Sequence, residues 1–238
     1  MVHPHKGGRT TPGNIESDVV RVRQCVQNNG ILENGESGSE FYYCHASLCV
    51  LDAVYSIRAR YEGVRNVIDR YCEHYHVVPT LNRENGYTEN EDTLDRLAQR
   101  ITAVGCETFA GQIVHNRTKT AGRLKSEVVL DVSRKLINGG ITSLRELSEW
   151  AGAVDAHAFS GDILGIGPVT VTYLAMLTGN ETLVKVDIHV RRFMQRCLGR
   201  DADDREILEI LREVARQLGV VPRMLDNCIW RYERRRKA

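Results

Sequence analysis

The chain has 238 residues, of which 42% are hydrophobic and 26% charged, and its formal net charge at pH 7 is +1. A chain of this length can bury one substantial core or two lobes that share a cleft. No apolar run reaches the roughly 20 residues of a membrane span, and residues 1–13 lack the apolar centre of a secretion signal. We therefore expect a compact cytoplasmic protein, nucleoid-associated in a bacterium or nuclear in a eukaryote, without membrane contact.

The first part of the chain predicts a disordered segment followed by a helix. Residues 1–13 are predicted to be disordered, and the globular fold is predicted to occupy residues 14–238. Asn14 or Ser17 can cap a first helix that ends at Gly30, because either side chain can accept a hydrogen bond from a free helix amide. The following sequence ENGESG predicts a loop.

A second helix is predicted within residues 46–61, and it carries an isolated carboxylate. Asp52 is the only charged residue between His45 and Arg58, and apolar residues surround it in the sequence. A buried carboxylate is costly unless it is paired or hydrogen-bonded. Two interpretations stay open: Asp52 faces solvent or caps a neighbouring helix, or it lines a binding pocket.

Two further segments have apolar residues at helical spacing, and we expect both stripes to face the core. One helix is predicted from about Ser126 to Ile137, ending at Gly139 and Gly140, and another from about Asp203 to Leu218. No internal repeat or low-complexity segment interrupts this pattern. The predicted fold class is all-α, a two-lobed helical bundle with a hairpin motif at the cleft.

The cysteine and histidine patterns do not predict a disulfide framework or a zinc site. The seven cysteines are an odd, scattered set, which suits reduced thiols in a core. Two His-x-His pairs, at residues 3–5 and 74–76, lack a cysteine or carboxylate partner at a recognisable ligand spacing.

A glycine hairpin precedes a short apolar helix. Gly165 and Gly167 lack a β-carbon, so the chain can turn tightly and bring backbone amides against a phosphate. Pro168 suits the first position of a helix that runs to about Leu177 and stops at Gly179. The start of this helix adds free amides and a partial positive charge, which favours an anion.

Asp187 lies where the next helix is predicted to begin, within the sequence KVDIHVRRF. Taken alone, the residue is most simply a helix N-cap. A carboxylate fixed near a reacting sugar is the alternative, because it would stabilise positive charge that develops there.

Together, these segments closely resemble the helix-hairpin-helix (HhH-GPD) DNA glycosylase superfamily. The resemblance rests on LGIGP at residues 164–168 and on VDIHVRR at residues 186–192, both within residues 161–199. LDNCIW at residues 225–230 is similar to an ending common in that superfamily, and a looser likeness spans residues 48–232.

The resemblance implies that Asp187 is the catalytic carboxylate and that the target base is flipped out of the duplex. It also implies a monovalent cation at backbone carbonyls of the phosphate-gripping hairpin, with no other cofactor. The hairpin residues are Leu164, Gly165, Ile166, Gly167, Pro168, Val169 and Thr170.

Val169 occupies the position at which bifunctional members of the superfamily carry a lysine that attacks the sugar. An aliphatic side chain cannot form a Schiff base, so the resemblance implies a monofunctional enzyme that leaves an abasic site. Lys185 and Lys125 are the candidates for a relocated lyase amine. Only Cys197 and Cys228 follow the hairpin, so we expect no iron-sulfur cluster.

The resemblance also gives candidates for the base pocket and for further DNA contacts. Many superfamily members have a Leu-Ser-Gln-type segment near the second helix, but its glutamine is missing here, so the wedge residue is not identified. The pocket or wedge candidates are Asp52, Tyr55, Ser56, Arg58 and Arg60, and the DNA-contact candidates are Lys185, His189, Arg191 and Arg192.

The predicted activity is removal of a damaged or modified base from double-stranded DNA by a monomer, in base excision repair or against modified phage DNA. A non-catalytic DNA-binding or damage-sensing protein is the alternative from another class, and a bifunctional glycosylase/lyase is the third. The net charge of +1 is low for a protein that binds phosphates, so local basic residues would have to supply the contacts. The sequence does not identify the base.

Overall fold

The computed structural model describes residues 14–33, 43–79 and 90–236. The predicted disordered segment at residues 1–13 lies outside the described residues, as does most of the predicted ENGESG loop. The described residues are mostly helical and divide into two compact units, one within Ser39–Leu183 and the other within Met1–Gly38 and Val184–Ala238. The predicted all-α, two-lobed fold class is therefore confirmed.

The elements are numbered in chain order. The helices are α1 (Ile15–Asn28), α2 (Ala46–Tyr55), α3 (Tyr61–Tyr75), α4 (Leu94–Val104), α5 (Cys106–Thr108), α6 (Lys125–Asn138), α7 (Leu144–Ala153), α8 (Ala156–Gly161), α9 (Pro168–Leu177), α10 (Ile188–Leu198), α11 (Asp204–Leu218) and α12 (Pro222–Arg235). A π-helical turn covers Phe109–Ile113, and β1 (Lys119–Thr120) pairs antiparallel with β2 (Arg123–Leu124).

Helix α2 lies at the centre of the Ser39–Leu183 unit. Every one of its residues is buried, and it packs against α3, α6 and α9. A helix that is apolar on all sides needs neighbours on all sides, which explains why the predicted helix in this region has no solvent face. The large side chains of this core that are shielded from solvent include Tyr55 and Leu48 on α2 itself and, on other elements, Tyr71, Phe109, Leu97 and Leu136.

The other unit is built from α1, α10, α11 and α12, which pack on one another. Asn14 caps α1, because its Oδ1 accepts a hydrogen bond from the Glu16 amide at 3.1 Å, so Asn14 rather than Ser17 fulfils the predicted role. Helix α11 begins at a similar cap, Asp203. The core of this unit includes Val22, Phe193, Ile210, Leu211 and Ile229.

Both predicted core stripes are confirmed by burial. On α6, Val128, Val129, Val132 and Leu136 are buried. On α11, the buried residues are Ile207, Ile210, Leu211, Val214 and Ala215, while Leu208 and Leu218 are partly buried against the same core.

All seven cysteines lie in the described residues, and all are free thiols. Among the described residues, no three His, Cys, Asp or Glu side chains are grouped as a metal ion would require. None of the helices in the described parts of the chain combines the length and apolar composition of a membrane span.

A buried histidine ties the start of α2 to two distant backbone groups. Nδ1 of His45 accepts from the Asp92 amide at 2.9 Å, which leaves Nε2 to donate to the Val78 carbonyl at 2.8 Å. The Asp92 carboxylate in turn accepts from the Tyr71 hydroxyl at 2.7 Å and pairs with Arg100 at 2.7 Å. Burial lowers the pKa of His45, so the neutral ring is the form that fits.

We predict that His45 makes the fold less stable in acid. Because its folded-state pKa lies below the unfolded value of about 6.5, the unfolded chain takes up the proton first as the pH falls. The contribution of His45 to the free energy of unfolding should therefore decline below about pH 6.5. Urea unfolding from pH 8 to pH 5 measures this contribution as a difference between variants, because the wild type should lose more stability, or gain less, than His45→Gln as the pH falls. His157→Gln, at an exposed position, is the control, and an equal decline in all three proteins would contradict the assignment.

Candidate functional site

The predicted hairpin connects α8 to α9, and its two glycines have different roles. Gly165 has a φ of 109°, a conformation that side chains rarely adopt, whereas Gly167 is extended at a φ of −132° and occupies the N-cap of α9. Pro168 is the first residue of α9 and Gly179 follows its end with a φ of 103°, as the sequence predicts. The segment is therefore a helix, a tight turn and a second helix.

Several backbone amides of this turn are free to bind a ligand. The amides of Thr170 and Val171 donate to the Gly167 carbonyl at 2.9 and 3.2 Å. No hydrogen bond within the described residues uses the amides of Gly165, Gly167 or Val169. Such amides at the start of a helix suit an anion.

Side chains from the small sheet of β1 and β2 support the hairpin. The sequence did not predict this support. Thr120 Oγ1 donates to the Gly165 carbonyl at 2.8 Å, and Arg123 Nη1 donates to the Leu164 carbonyl at 3.4 Å. Arg123 is itself held by Asp131 at 2.6 Å. No local sequence signal links residues that are more than forty positions apart.

The same contacts bear on the predicted monovalent cation. Carbonyl oxygens are suitable ligands for such an ion, but the Arg123 guanidinium places a positive charge beside the Leu164 carbonyl. The Leu164 carbonyl oxygen therefore fits a cation poorly.

Asp187 is the N-cap of α10, as its position in the sequence suggests. Its Oδ1 accepts from the His189 amide at 2.8 Å and from the Val190 amide at 3.1 Å. Its other oxygen, Oδ2, accepts no hydrogen bond from the described residues, and the residue is half-buried. The capping role fixes the carboxylate through one oxygen and leaves the second available to a ligand.

A second carboxylate, Asp226 on α12, lies close to this segment. Its Oδ1 accepts from the Lys185 amide at 3.2 Å, two residues before Asp187. Burial, and then the negative charge of Asp187, raise the pKa of Asp226 to about 7. Sequence reasoning treated Asp226 only as part of the LDNCIW ending, and nothing in that motif indicates its ionisation.

The four predicted DNA-contact residues differ in exposure and in the contacts that they make. Arg191 is exposed and paired with Asp204 on α11, and Lys185 and Arg192 are half-buried. The His189 ring lies edge-on to Trp230, with centroids 6.4 Å apart. All four belong to the unit that contains α10 and lie within five positions of Asp187 in the sequence.

Asp52 is buried within a group of hydroxyl donors. The Tyr43 hydroxyl donates to Oδ2 at 2.7 Å, the Ser56 hydroxyl donates to Oδ1 at 2.8 Å, and Tyr173 on α9 also hydrogen-bonds to Asp52. The interpretation that Asp52 faces solvent is therefore wrong, since its exposed fraction is 2%. Burial, and then the Asp52 charge, raise the pKa of Tyr43 and keep it a donor.

The other pocket or wedge candidates do not form one cluster with Asp52. Tyr55 has an exposed fraction of 1%, so its ring cannot act as a wedge. Arg58, with a φ of 49°, and Arg60, which precedes α3, are both exposed. Of the candidates Tyr55, Ser56, Arg58 and Arg60, it is Ser56 that hydrogen-bonds to Asp52.

Lys125 is bound inside the Ser39–Leu183 unit. Its Nζ donates to the Tyr55 carbonyl at 2.9 Å and to the Ile57 carbonyl at 2.7 Å, at the end of α2. Burial lowers its pKa to about 8. The amine holds the end of a core helix and has an exposed fraction of 3%, which does not suit attack on a sugar.

Comparison with known proteins gives one family and several solved structures. The family described as Domain of unknown function (DUF8548) matches residues 20–234, and no curated protein matches the chain. The 8-oxoguanine glycosylase/lyase of Clostridium acetobutylicum, in complex with double-stranded DNA containing cytosine opposite 8-oxoguanine, aligns with a TM-score of 0.55 and 14% identity. The alignment covers 94% of this chain and 73% of that one, and it shows a shared fold.

Two structures from Methanocaldococcus jannaschii are similar at lower scores. Its 8-oxoguanine glycosylase/lyase in complex with 15mer DNA containing 8-oxoguanine has a TM-score of 0.44 at 15% identity, covering 92% of this chain and 90% of that one. Its 8-oxoguanine DNA glycosylase has a TM-score of 0.42 at 14% identity, covering 91% of this chain and 84% of that one.

The two hairpin glycines should respond differently to alanine. A β-carbon at Gly165 would lie 2.9 Å from Thr120 Cγ2 and 3.1 Å from Val128 Cγ2, in addition to the positive φ, whereas one at Gly167 would meet nothing within 4 Å. We expect Gly165→Ala to lower the free energy of unfolding by about 1–3 kcal/mol. Gly167→Ala should change it by less than about 0.5 kcal/mol. Urea unfolding measures both, and equal losses would contradict the different roles.

Proposed function

We propose that this chain, which belongs to the family described as Domain of unknown function (DUF8548), is a DNA glycosylase. It would act on a damaged or modified base in double-stranded DNA, break the N-glycosidic bond and leave an abasic site. The observation that carries the proposal is Asp187, whose carboxylate is fixed by two amides through one oxygen while the other accepts nothing from the described residues. Asp155 and Asp203 cap their helices through one oxygen in the same way, and Asp187 differs from them in lying within the VDIHVRR segment, beside the buried Asp226.

The shared fold and the hairpin support DNA as the partner. The Clostridium structure with the same all-α fold is a DNA glycosylase bound to DNA. In this chain, the unused amides of Gly165, Gly167 and Val169 can donate to a phosphate, and the partial positive charge at the start of α9 adds to the attraction. Such contacts read no base, so they position the duplex without choosing its sequence. We propose that the protein binds as a monomer.

Asp187 would stabilise the charge that develops during cleavage. As the bond between C1′ and the base breaks, its electron pair leaves with the base, and positive charge grows on the deoxyribose. A fixed carboxylate lowers the energy of that charge. Water then bonds to C1′, and the proton that it loses can pass to Asp187 and from there to the released base anion, which restores the carboxylate.

The hairpin residues Leu164 to Thr170 carry no lysine for the lyase step. Val169 stands at the position of the superfamily lysine, and the Lys125 amine is engaged with two carbonyls. We therefore propose a monofunctional enzyme. The target would be a repair lesion or a modified base of foreign DNA, and the buried group formed by Asp52, Tyr43, Ser56 and Tyr173 does not distinguish between them.

The first functional test replaces Asp187 by asparagine. Asparagine caps helices as well as aspartate does, so α10 should remain intact. We expect Asp187→Asn to slow single-turnover base excision by roughly a hundredfold or more, because the lost charge acts mainly in the transition state. DNA affinity should change little.

Asp203→Asn is the matched control, because Asp203 caps α11 through the Glu206 amide at 2.9 Å. It makes the same chemical change at another helix start in the same unit, and its excision rate should equal that of the wild type. If Asp187→Asn excised its base as fast as this control, the proposed role of Asp187 would be wrong.

The second test asks whether the enzyme forms a covalent intermediate. Without a sugar-attacking amine, the product should be an intact abasic strand that breaks only in hot alkali, and borohydride should trap no protein–DNA adduct. Trapping is measured on the wild type, Lys185→Ala and Lys125→Met. An adduct that disappeared in one variant would identify that lysine as a relocated nucleophile and would overturn the monofunctional assignment.

A further inference from the structure

The turn that leads into Asp187 is fixed by two hydrogen bonds, and both involve the backbone of Lys185. The Lys185 amide donates to Asp226 Oδ1 at 3.2 Å, and the Asp187 amide donates back to the Lys185 carbonyl at 2.8 Å. Asp226 lies on α12, which packs on α10. Its carboxylate therefore links the core helix α12 to the segment that carries Asp187.

The surroundings of Asp226 are unusual for a carboxylate. Its exposed fraction is 8%, and the charged groups that act on it are Asp187, Lys185 and Arg223. Burial and the Asp187 charge disfavour ionisation, while Lys185 and Arg223 favour it. The outcome is a pKa of about 7, so Asp226 changes its charge near neutral pH.

We propose that Asp226 is a positioning residue for Asp187, and that its ionisation sets the pH range in which Asp187 acts on DNA. This inference rests on the proposed function. It adds a residue whose hydrogen bond and charge act through Asp187, without contact with the substrate.

Ionisation of Asp226 has two effects, and both should raise the excision rate. An ionised Asp226 accepts the Lys185 amide more strongly than a protonated one, because hydrogen bonds to charged groups are stronger. It also adds a second negative charge near the carboxylate that faces developing positive charge. The excision rate should therefore rise as Asp226 loses its proton.

The test is the pH dependence of single-turnover excision. The substrate is the modified duplex or phage DNA in which the wild type forms the most abasic sites, and abasic sites are counted at each pH. For the wild type we expect a rise of about tenfold between pH 6 and pH 8, following the ionised fraction of a group that titrates near neutrality. Asp226→Asn should remove this rise and remain near the wild-type rate at pH 6. A variant that kept the rise would overturn the proposal.

Glu233→Gln is the matched control. Glu233 is also a buried carboxylate on α12 that binds α10, through Arg196. Its substitution tests whether any lost link between these helices changes the profile. We expect Glu233→Gln to keep the full rise with pH, and loss of the rise in both variants would show a merely structural effect and overturn the proposal.

A titration without DNA separates this inference from the proposed function. The Asp226 carboxyl carbon is followed by NMR in the wild type and in Asp187→Asn. Removal of the Asp187 charge should lower the pKa of Asp226, since that charge raises it. An unchanged pKa would overturn the coupling even if excision were observed, whereas a lowered pKa in a protein that excises nothing would disprove only the glycosylase activity.

Discussion

The hydrogen bonds that Asp187 Oδ1 accepts from His189 and Val190 are the interactions on which the candidate chemistry depends. A helix start has amides without intrahelical partners, and a carboxylate at the cap satisfies two of them. The same bonds immobilise the carboxylate before any substrate arrives. A charged group that is already fixed does not have to reorganise when positive charge develops nearby, which is the main advantage of a preorganised site.

The hairpin is fixed by different means, in the Ser39–Leu183 unit. Gly165 adopts a backbone conformation that other residues rarely adopt, and the side chains of Thr120 and Arg123 hold the consecutive carbonyls of Gly165 and Leu164. These bonds occupy carbonyls and leave amides free. The hairpin therefore keeps unused backbone amides that can donate hydrogen bonds, as the binding of a phosphate requires.

Local patterns predicted the helices well because those patterns act over a few residues. The bounds of α9, the cap at Asp187 and the buried stripe of α6 all follow from glycine, proline, capping and periodicity rules. The sequence did not reveal the partners of Asp52, since Tyr173 comes from a distant helix and only packing brings it near.

Local sequence patterns also could not predict the ionisation of the buried groups. Asp226 lies in a recognisable motif, but its charge depends on burial and on Asp187, 39 positions earlier in the chain. Lys125 similarly looked like a candidate nucleophile until its amine proved to hold the end of α2. Charged residues in apolar segments can serve structure or chemistry, and only their partners distinguish the two.

Removal of a base from DNA by this chain is detected most directly by mass spectrometry of the small molecules that are released from the DNA. The purified protein is incubated with duplexes carrying alkylated, deaminated or oxidised bases and with phage genomes containing modified bases. We expect one class of DNA to release a free base while its strands stay intact until treated with alkali. Binding to these DNAs without release of any base would disprove the glycosylase activity and would indicate a protein that only binds DNA.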